Sequence, residues 1–245
     1  IFAGIREMVL MARTRGFNPS LPAAVIVGWL FLLHFHFQRG TEDPLPLTLV
    51  LFLGLLVVHF GALFFDEKLE EALPSQAITW MAGLVLGLGL GLQQKLFLLE
   101  GTLTKTGSRL VLALYIITWF GDSAAYFVGS YFGKHKLAPR VSPKKSWEGA
   151  LGNTLGNVGG AALMKLLLCT DWTWVDVVAL GLLLGVVGQL GDLVESTWKR
   201  SCGVKDSNVG VSIPGHGGML DRVDSLLFAA PAMYAYLRFA QGWTQ

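Results

Sequence analysis

The sequence predicts an all-α, polytopic membrane protein: a transmembrane helix bundle of about seven spans with no soluble domain. Three observations carry this. Of the 245 residues, 53% are hydrophobic and only 15% charged, where a soluble domain carries about 25%. The apolar residues are gathered into long runs, and roughly 20 of them let a helix cross a bilayer. Irregular backbone is not tolerated against lipid at membrane depth, so helix is the structure open to these runs.

Taken in order, the expected spans are 21–37, 45–65, 76–97, 109–132, 148–168, 174–198 and 217–239. The first is short for a crossing, but Trp29 and the HFHF stretch suit an interface. Residues 1–16 mix apolar residues with Arg6, Arg13 and Arg15, which fits either an interfacial amphipathic helix or the tail of a further span. The chain starts at Ile1 rather than Met, so a preceding segment is expected, and no cleavable signal pattern is present. No internal repeat is evident. We divide the chain into N-terminal membrane helices, 1–108, and catalytic membrane helices with cytoplasmic loops, 109–245.

Lys and Arg set the orientation. With seven spans, one side carries Arg6, Arg13, Arg15, Lys68, Lys134, Lys136, Arg140, Lys144, Lys145, Lys199, Arg200 and Lys205, twelve in all. The other carries Arg39, Lys95, Lys105, Arg109 and Arg238, five in all. The polar loops 133–147 and 199–216 are therefore expected in the cytoplasm. The loop with Asp66, Glu67, Glu70 and Glu71 joins them, because acidic residues count little in this rule. The net charge of +2 gives no reason to expect a nucleic-acid partner. Cys169 and Cys202 fall in loops on opposite sides, so no disulfide is expected, and no Cys/His cluster suggests zinc.

Ionisable residues inside spans are rare and costly, so each is a candidate site residue. The fourth span holds Asp122. The sixth holds Gln189, Asp192 and Glu195 in GQLGDLVESTWKR, and the seventh opens with Asp221, Arg222 and Asp224. On a helix, Asp192, Glu195, Ser196 and Lys199 share one face, and so do Asp221 and Asp224. Two neighbouring helices would then present Asp192, Asp221 and Asp224 to one cavity near the cytoplasmic surface. Hard oxygen ligands at that density suit Mg²⁺, which also binds substrate phosphates. The plainer alternative is a set of interfacial ion pairs, with Asp221 on Arg200 and Glu195 on Lys199. Three carboxylates on two helices weigh against it.

The loops carry the complementary charge. GKHKLAPRVSPKKSWE and KRSCGVKDSNVGVSIPGHGG both mix basic residues with Gly, Ser and Pro. A basic glycine-containing loop entering a helix N-terminus favours phosphate. Gly215, His216, Gly217 and Gly218 lie just before the seventh span. Ser146 is placed to cap the fifth, with Lys144 and Lys145 beside it. Topology or lipid-headgroup attraction would explain the charges, though not the glycines, the histidine or the buried acids.

These residues also carry a resemblance. Ser196-Thr197-Trp198-Lys199-Arg200, then Lys205-Asp206, then Pro214-Gly215-His216-Gly217-Gly218, then Asp221-Arg222 and Asp224, resemble the signature of the phosphatidate cytidylyltransferases, or CDP-diacylglycerol synthases. GDSAAYFVGSYFGKHKLAPRVSPKKSWEG looks like that family's second block. Together they cover about 121–224, while the first four spans resemble the family only in hydropathy. The stretch SNVGVSI is longer than the family pattern leads one to expect, which leaves the role of Asp206 open.

The resemblance implies that CTP and phosphatidate give CDP-diacylglycerol and diphosphate, with Mg²⁺ and room for a second cation. A phosphate monoester is already anionic near neutral pH, with a second pKa of about 6. No general base is needed, and catalysis becomes positioning and charge neutralisation. Paired metals about 3.5–4 Å apart would stabilise the attacking and leaving oxygens. The expected roles follow. Asp192 and Asp221 hold the metal, with Asp224 as a further ligand or anchor. Lys144, Lys145, Lys199 and Arg200 neutralise phosphates, with Lys144, Lys199 and Arg200 counted catalytic. Ser196, Lys205 and Gly215–Gly218 line the substrate site. Arg222 pairs with the carboxylates or touches diphosphate, and Asp122 orients a lysine or a second ion. The site is expected to open sideways to lipid, in a bacterial inner-membrane protein with its active site facing the cytoplasm, and a homodimer suits a bundle this small. The competing readings are a CTP-dependent polyprenol or phytol kinase, a CDP-alcohol phosphotransferase, and an ion or phosphate transporter. The glycines at 83–92 and 152–160 read as close helix packing. His34 and His36 face different sides of a helix, so neither they nor the lone His59 reads as a metal ligand.

Overall fold

The apolar runs become helices. The structure, a computed structural model, describes residues 1–38, 43–65, 69–99, 107–209, 217–240 and 242. Of the residues singled out in the sequence, Arg39, Asp66, Glu67, Lys68, Lys105, Pro214, Gly215 and His216 lie outside these. Among the described residues four helices are long and apolar enough to cross a membrane, within Leu47–Phe64, Leu69–Leu98, Ser108–Phe132 and Trp174–Ser201. The chain divides into two units, residues 1–94 with 198–223, and residues 95–197 with 224–245.

The first unit contains α1 (Phe2–Arg13), α2 (Leu21–Phe37), α3 (Leu47–Phe65) and most of α4 (Leu69–Leu98). Ser20 starts α2 by accepting the Ala23 N–H, with Pro22 in the first turn, where its missing N–H costs nothing. Val27, Phe31 and Phe35 of α2 pack with Val50 and Val58 of α3 and Leu84, Leu88 and Leu92 of α4. The α1 helix is packed in as well: Ile5, Met8, Val9, Met11 and Ala12 are buried, and so is Glu7.

The second unit contains α5 (Ser108–Phe132), a hairpin of β1 (Lys136–Ala138) and β2 (Ser142–Ser146), α6 (Trp147–Leu167), α7 (Trp174–Ser201) up to Thr197, and α8 (Asp224–Ala235). Its core joins Leu110, Leu114 and Ile117 of α5 to Met164 of α6, Leu180 and Leu184 of α7, and Leu226 and Met233 of α8. Small residues let α5 and α6 touch. A Cβ on Gly152 would lie 2.7 Å from Val128, and one on Gly156 2.6 Å from Ala124. Thr173 and Asp176 cap α7 reciprocally, the Thr173 N–H donating to the carboxylate and the Asp176 N–H to the hydroxyl. At the start of α5, Arg109 grips Asp171 through two hydrogen bonds of 2.8 and 2.9 Å.

Two sequence expectations are corrected. The basic segment 133–147 is not plain loop: its strands pair antiparallel, with Lys136 opposite Ser146 and Ala138 opposite Ser142. The segment 217–239 is not one helix. It is a 3-10 turn (Leu220–Arg222), a 12-residue α8 containing Pro231, and a π-helical turn (Tyr236–Ala240). Arg222 and Val223 donate their N–H groups three residues back, to the Met219 and Leu220 carbonyls, so this turn is 3-10 and not the first turn of a longer α-helix.

Candidate active site

The polar residues of the second unit converge on a cavity of about 530 Å³. Asp122, Tyr126 and Ser130 line it from α5, Lys136, Lys144 and Lys145 from the hairpin, Asn153 from α6, and Gln189 and Asp192 from α7. The hairpin holds its lysines there because its base is tied down. Glu148 accepts the Lys134 and His135 N–H groups and meets the His135 ring at 2.6 Å. Ser146 caps α6, accepting the Gly149 N–H at 3.1 Å.

Inside the cavity, Lys145 Nζ lies 2.5 Å from Asp192 Oδ2. The Ser196 hydroxyl donates to Asp192 Oδ1 at 3.3 Å, the one-turn spacing expected of α7. A chain of amides crosses the helices below. Gln189 Nε2 donates to Asn153 Oδ1 at 3.2 Å, and Asn153 Nδ2 donates to Asp122 Oδ1 at 3.2 Å. Asn157 also donates to Asn153 Oδ1, at 2.8 Å. A carboxylate offers about four acceptor positions. Asp122 and Asp192 thus retain acceptor capacity toward a cavity that also holds cations, and hard oxygens of this kind are what Mg²⁺ takes.

A second polar cluster lies in the first unit. Lys199 Nζ donates to Asp221 Oδ1 at 2.6 Å. Asp221 Oδ2 accepts the Ser207 N–H at 3.0 Å, the Ser207 hydroxyl at 2.9 Å and the Gly218 N–H at 3.2 Å. Asp221 lies outside the four candidate spans. Burial alone would raise its pKa, but the hydrogen bonds from Lys199 and Ser207 and the Lys199 charge outweigh it and hold the carboxyl below its ordinary value. Glu7 completes the cluster, accepting the Met219 N–H at 2.8 Å on Oε1 and the Leu220 N–H at 2.7 Å on Oε2.

The sequence-derived candidates therefore sort into groups. Lys144, Lys145, Asp192 and Ser196 belong to the second-unit cluster, and Lys199, Asp221 and Gly218 to the first. Asp221 and Asp224 do not share a helical face: Asp221 sits in the 3-10 turn, while Asp224 opens α8 and accepts the Ser225 N–H at 2.6 Å. Among the described residues no three His, Cys, Asp or Glu side chains are placed to hold a metal ion. Arg200 donates to the Val204 carbonyl at 2.8 Å, and Lys205 and Arg222 are exposed. Gly217 has φ +73°, which only glycine adopts easily. Of the segment 215–218 expected to cradle a phosphate, Gly218 donates its N–H to Asp221, and the N–H groups of Met219 and Leu220 that follow go to Glu7. Sequence reasoning passed over Asn153, Lys136 and Glu7. Asn153 and Asn157, one turn apart in an apolar stretch, were the available signal for the first.

The model of the cytidylyltransferase family matches residues 1–240. The phosphatidate cytidylyltransferase of Brucella suis biovar 1 (strain 1330) is 46% identical over 130 residues, 53% of this chain. The match covers 47% of that protein, so the chain spans about half the length of this relative. The phosphatidate cytidylyltransferase of Bacillus subtilis (strain 168) is 34% identical over 221 residues, 89% of this chain and 79% of its own. That of Synechocystis sp. is 33% identical over 263 residues, 97% of this chain and 85% of its own.

Proposed function

The chain belongs to the cytidylyltransferase family, and from that premise we propose that it transfers the cytidylyl group of CTP to phosphatidate. An oxygen of the lipid phosphate attacks the α-phosphorus. The bond from that phosphorus to the bridging oxygen breaks, and diphosphate leaves with the electron pair. CDP-diacylglycerol remains in the membrane. The observation that carries this reading is the second-unit cavity, where three hairpin lysines face two carboxylates.

The residues present suit two anions meeting. Lys136, Lys144 and Lys145 lower the repulsion between the lipid phosphate and the triphosphate. Asp192, steadied by Ser196, and Asp122, steadied by Asn153, are the carboxylates we assign to Mg²⁺. When bound, that ion neutralises charge building on the phosphate oxygens. Asp221, whose oxygens already accept Lys199, Ser207 and Gly218, is better suited to fixing the Lys199 ammonium than to holding metal. Lys199 and Arg200 remain the proposed phosphate contacts on α7. All of these groups fall in 109–245, the part expected to be catalytic.

The lipid tails also have somewhere to go. An apolar cleft of about 400 Å³, lined by Leu137, Trp147, Leu151, Leu190 and Leu193, shares Leu137, Ala150 and Gln189 with the polar cavity. That continuity supports the sideways opening. We further propose that α2, α6 and α8 with its π turn complete seven crossings, in a bacterial inner membrane with the lysine hairpin in the cytoplasm. A homodimer is compatible with this arrangement.

The test is diphosphate release by purified protein in mixed micelles. Release that requires CTP, Mg²⁺ and phosphatidate together, with a CDP-lipid product, is the expected result. Transfer of the γ-phosphate to a lipid alcohol would instead make the protein a kinase, and no nucleotide chemistry from folded protein would revive the transporter.

A further inference from the structure

Glu7 takes no part in the reaction just described, yet its surroundings are built around it. It is the sole acidic residue of α1 and is 6% exposed. A carboxylate is expensive to bury unless its oxygens find donors. Glu7 finds the N–H groups of Met219 and Leu220, and it lies 3.0 Å from the Ser207 hydroxyl, whose one proton is shared between Glu7 and Asp221. The two N–H groups open the 3-10 turn Leu220–Arg222, where a helix start leaves its N–H groups without partners of its own. Glu7 therefore caps, from more than two hundred residues away in sequence, the turn that carries Asp221 and Arg222.

The linkage continues through Ser207, which is fully buried and lies within reach of both Glu7 Oε2 and Asp221 Oδ2. Gly218 fits between them. A Cβ there would fall 1.8 Å from Ser207 Oγ and 3.0 Å from Glu7 Oε2. Asp221, with Oδ2 so occupied, turns Oδ1 to the Lys199 ammonium. We propose that Glu7 is a positioning residue for the transfer reaction. It fixes the backbone of the turn, so that Asp221 holds Lys199 in its working place. This rests on the functional reading above.

The test compares wild type, Glu7→Gln, Ser207→Ala and the double variant, in detergent, by kcat, KM and amide hydrogen exchange of the segment 217–223. Gln keeps the size of Glu but turns an N–H₂ toward donors. The expected result is folded Glu7→Gln with kcat lowered roughly tenfold, the scale of one hydrogen bond to a charged group. KM for phosphatidate stays unchanged, exchange at 217–223 is faster, and the double variant loses less than the product of the two single losses, because the residues act as one network. Folded Glu7→Gln with wild-type kcat overturns the proposal, and so do multiplicative losses. If Glu7→Gln does not fold, Ser207→Ala decides: slower turnover with faster exchange upholds the proposal, and unchanged turnover overturns it. Wild-type protein that forms no CDP-lipid would sink the functional reading instead. The exchange arm then stands alone: faster exchange upholds Glu7 as the anchor of the turn, and unchanged exchange refutes it.

Discussion

Asp192 separates the metal assignment from a merely structural one, because the two predict losses of different size. The Lys145–Asp192 pair is short, 2.5 Å, but wet, with side chains 24% and 35% exposed. Pairs of that kind contribute about 1 kcal/mol or less to stability. Asp192→Asn keeps the volume and an oxygen for Ser196, so the melting temperature should fall by no more than about 2–4 °C. The rate should respond differently. Removing one preorganised group that meets charge in the transition state costs about 10²–10³ in kcat, or ~2.7–4 kcal/mol. The assay is diphosphate release in mixed micelles, beside thermal unfolding of the same preparation. Lys145→Met is the control: if Asp192 serves only to hold Lys145, both single variants and the double lose the same amount. A folded Asp192→Asn within about tenfold of wild type, ~1.4 kcal/mol, would refute the metal role.

Four further outcomes follow from the geometry. Asp221 has a depressed folded-state pKa, so its stabilising contribution is present above the unfolded value of about 3.9 and fades as pH falls through the lower folded value. Unfolding of wild type and Asp221→Asn should therefore differ at pH 7 and converge below about pH 4. Gly217→Ala, at φ +73° with open space around it, should cost about 1–2 kcal/mol in unfolding measurements. Gly218→Ala drives Ser207 off its carboxylates and should cost more than ~3 kcal/mol, with partial relief from a second change, Ser207→Ala. Arg109→Ala leaves Asp171 buried without its partner, and the pair is 8% and 5% exposed. A loss of about 3–5 kcal/mol is expected, and a Leu pair at both positions should recover most of it.

Much of the fold was legible because each lipid-facing residue reports its surroundings independently. Phe52, Phe120, Val186 and Leu190 are all exposed on helices long enough to cross, and a hydropathy reading needs nothing else to find α3, α5 and α7. Two failures had a tertiary cause. The stretch Lys136–Ser146 shows no apolar alternation, and its strands are fixed by partners at the base, where Glu148 gathers His135 and Lys134. The 3-10 turn before α8 is capped by Glu7 and Asp221, which accept the N–H groups that a helical start leaves without partners. Asp221 lies within residues 217–224, but nothing in that stretch announces Glu7 as the second acceptor.

The same distinction governs the site. Asp192, Ser196 and Lys199 lie on α7, and there the one-turn spacing served well: Ser196 does reach Asp192. Applied to Asp221 and Asp224 it failed, since the spacing argues from a helix that the turn at Leu220–Arg222 replaces. Charge was legible too, but partnership was not. The sequence reads Lys145 as a phosphate contact and Asp221 as a metal ligand, but it does not name the protein neighbours they have, Asp192 for the one and Lys199, Ser207 and Gly218 for the other. An intramembrane carboxylate in a sequence marks a place where donors must gather. Whether they are metal, lysine or backbone N–H depends on residues as distant as Glu7 and Leu220, and it is that choice of donor, more than the acid itself, that assigns each carboxylate its work.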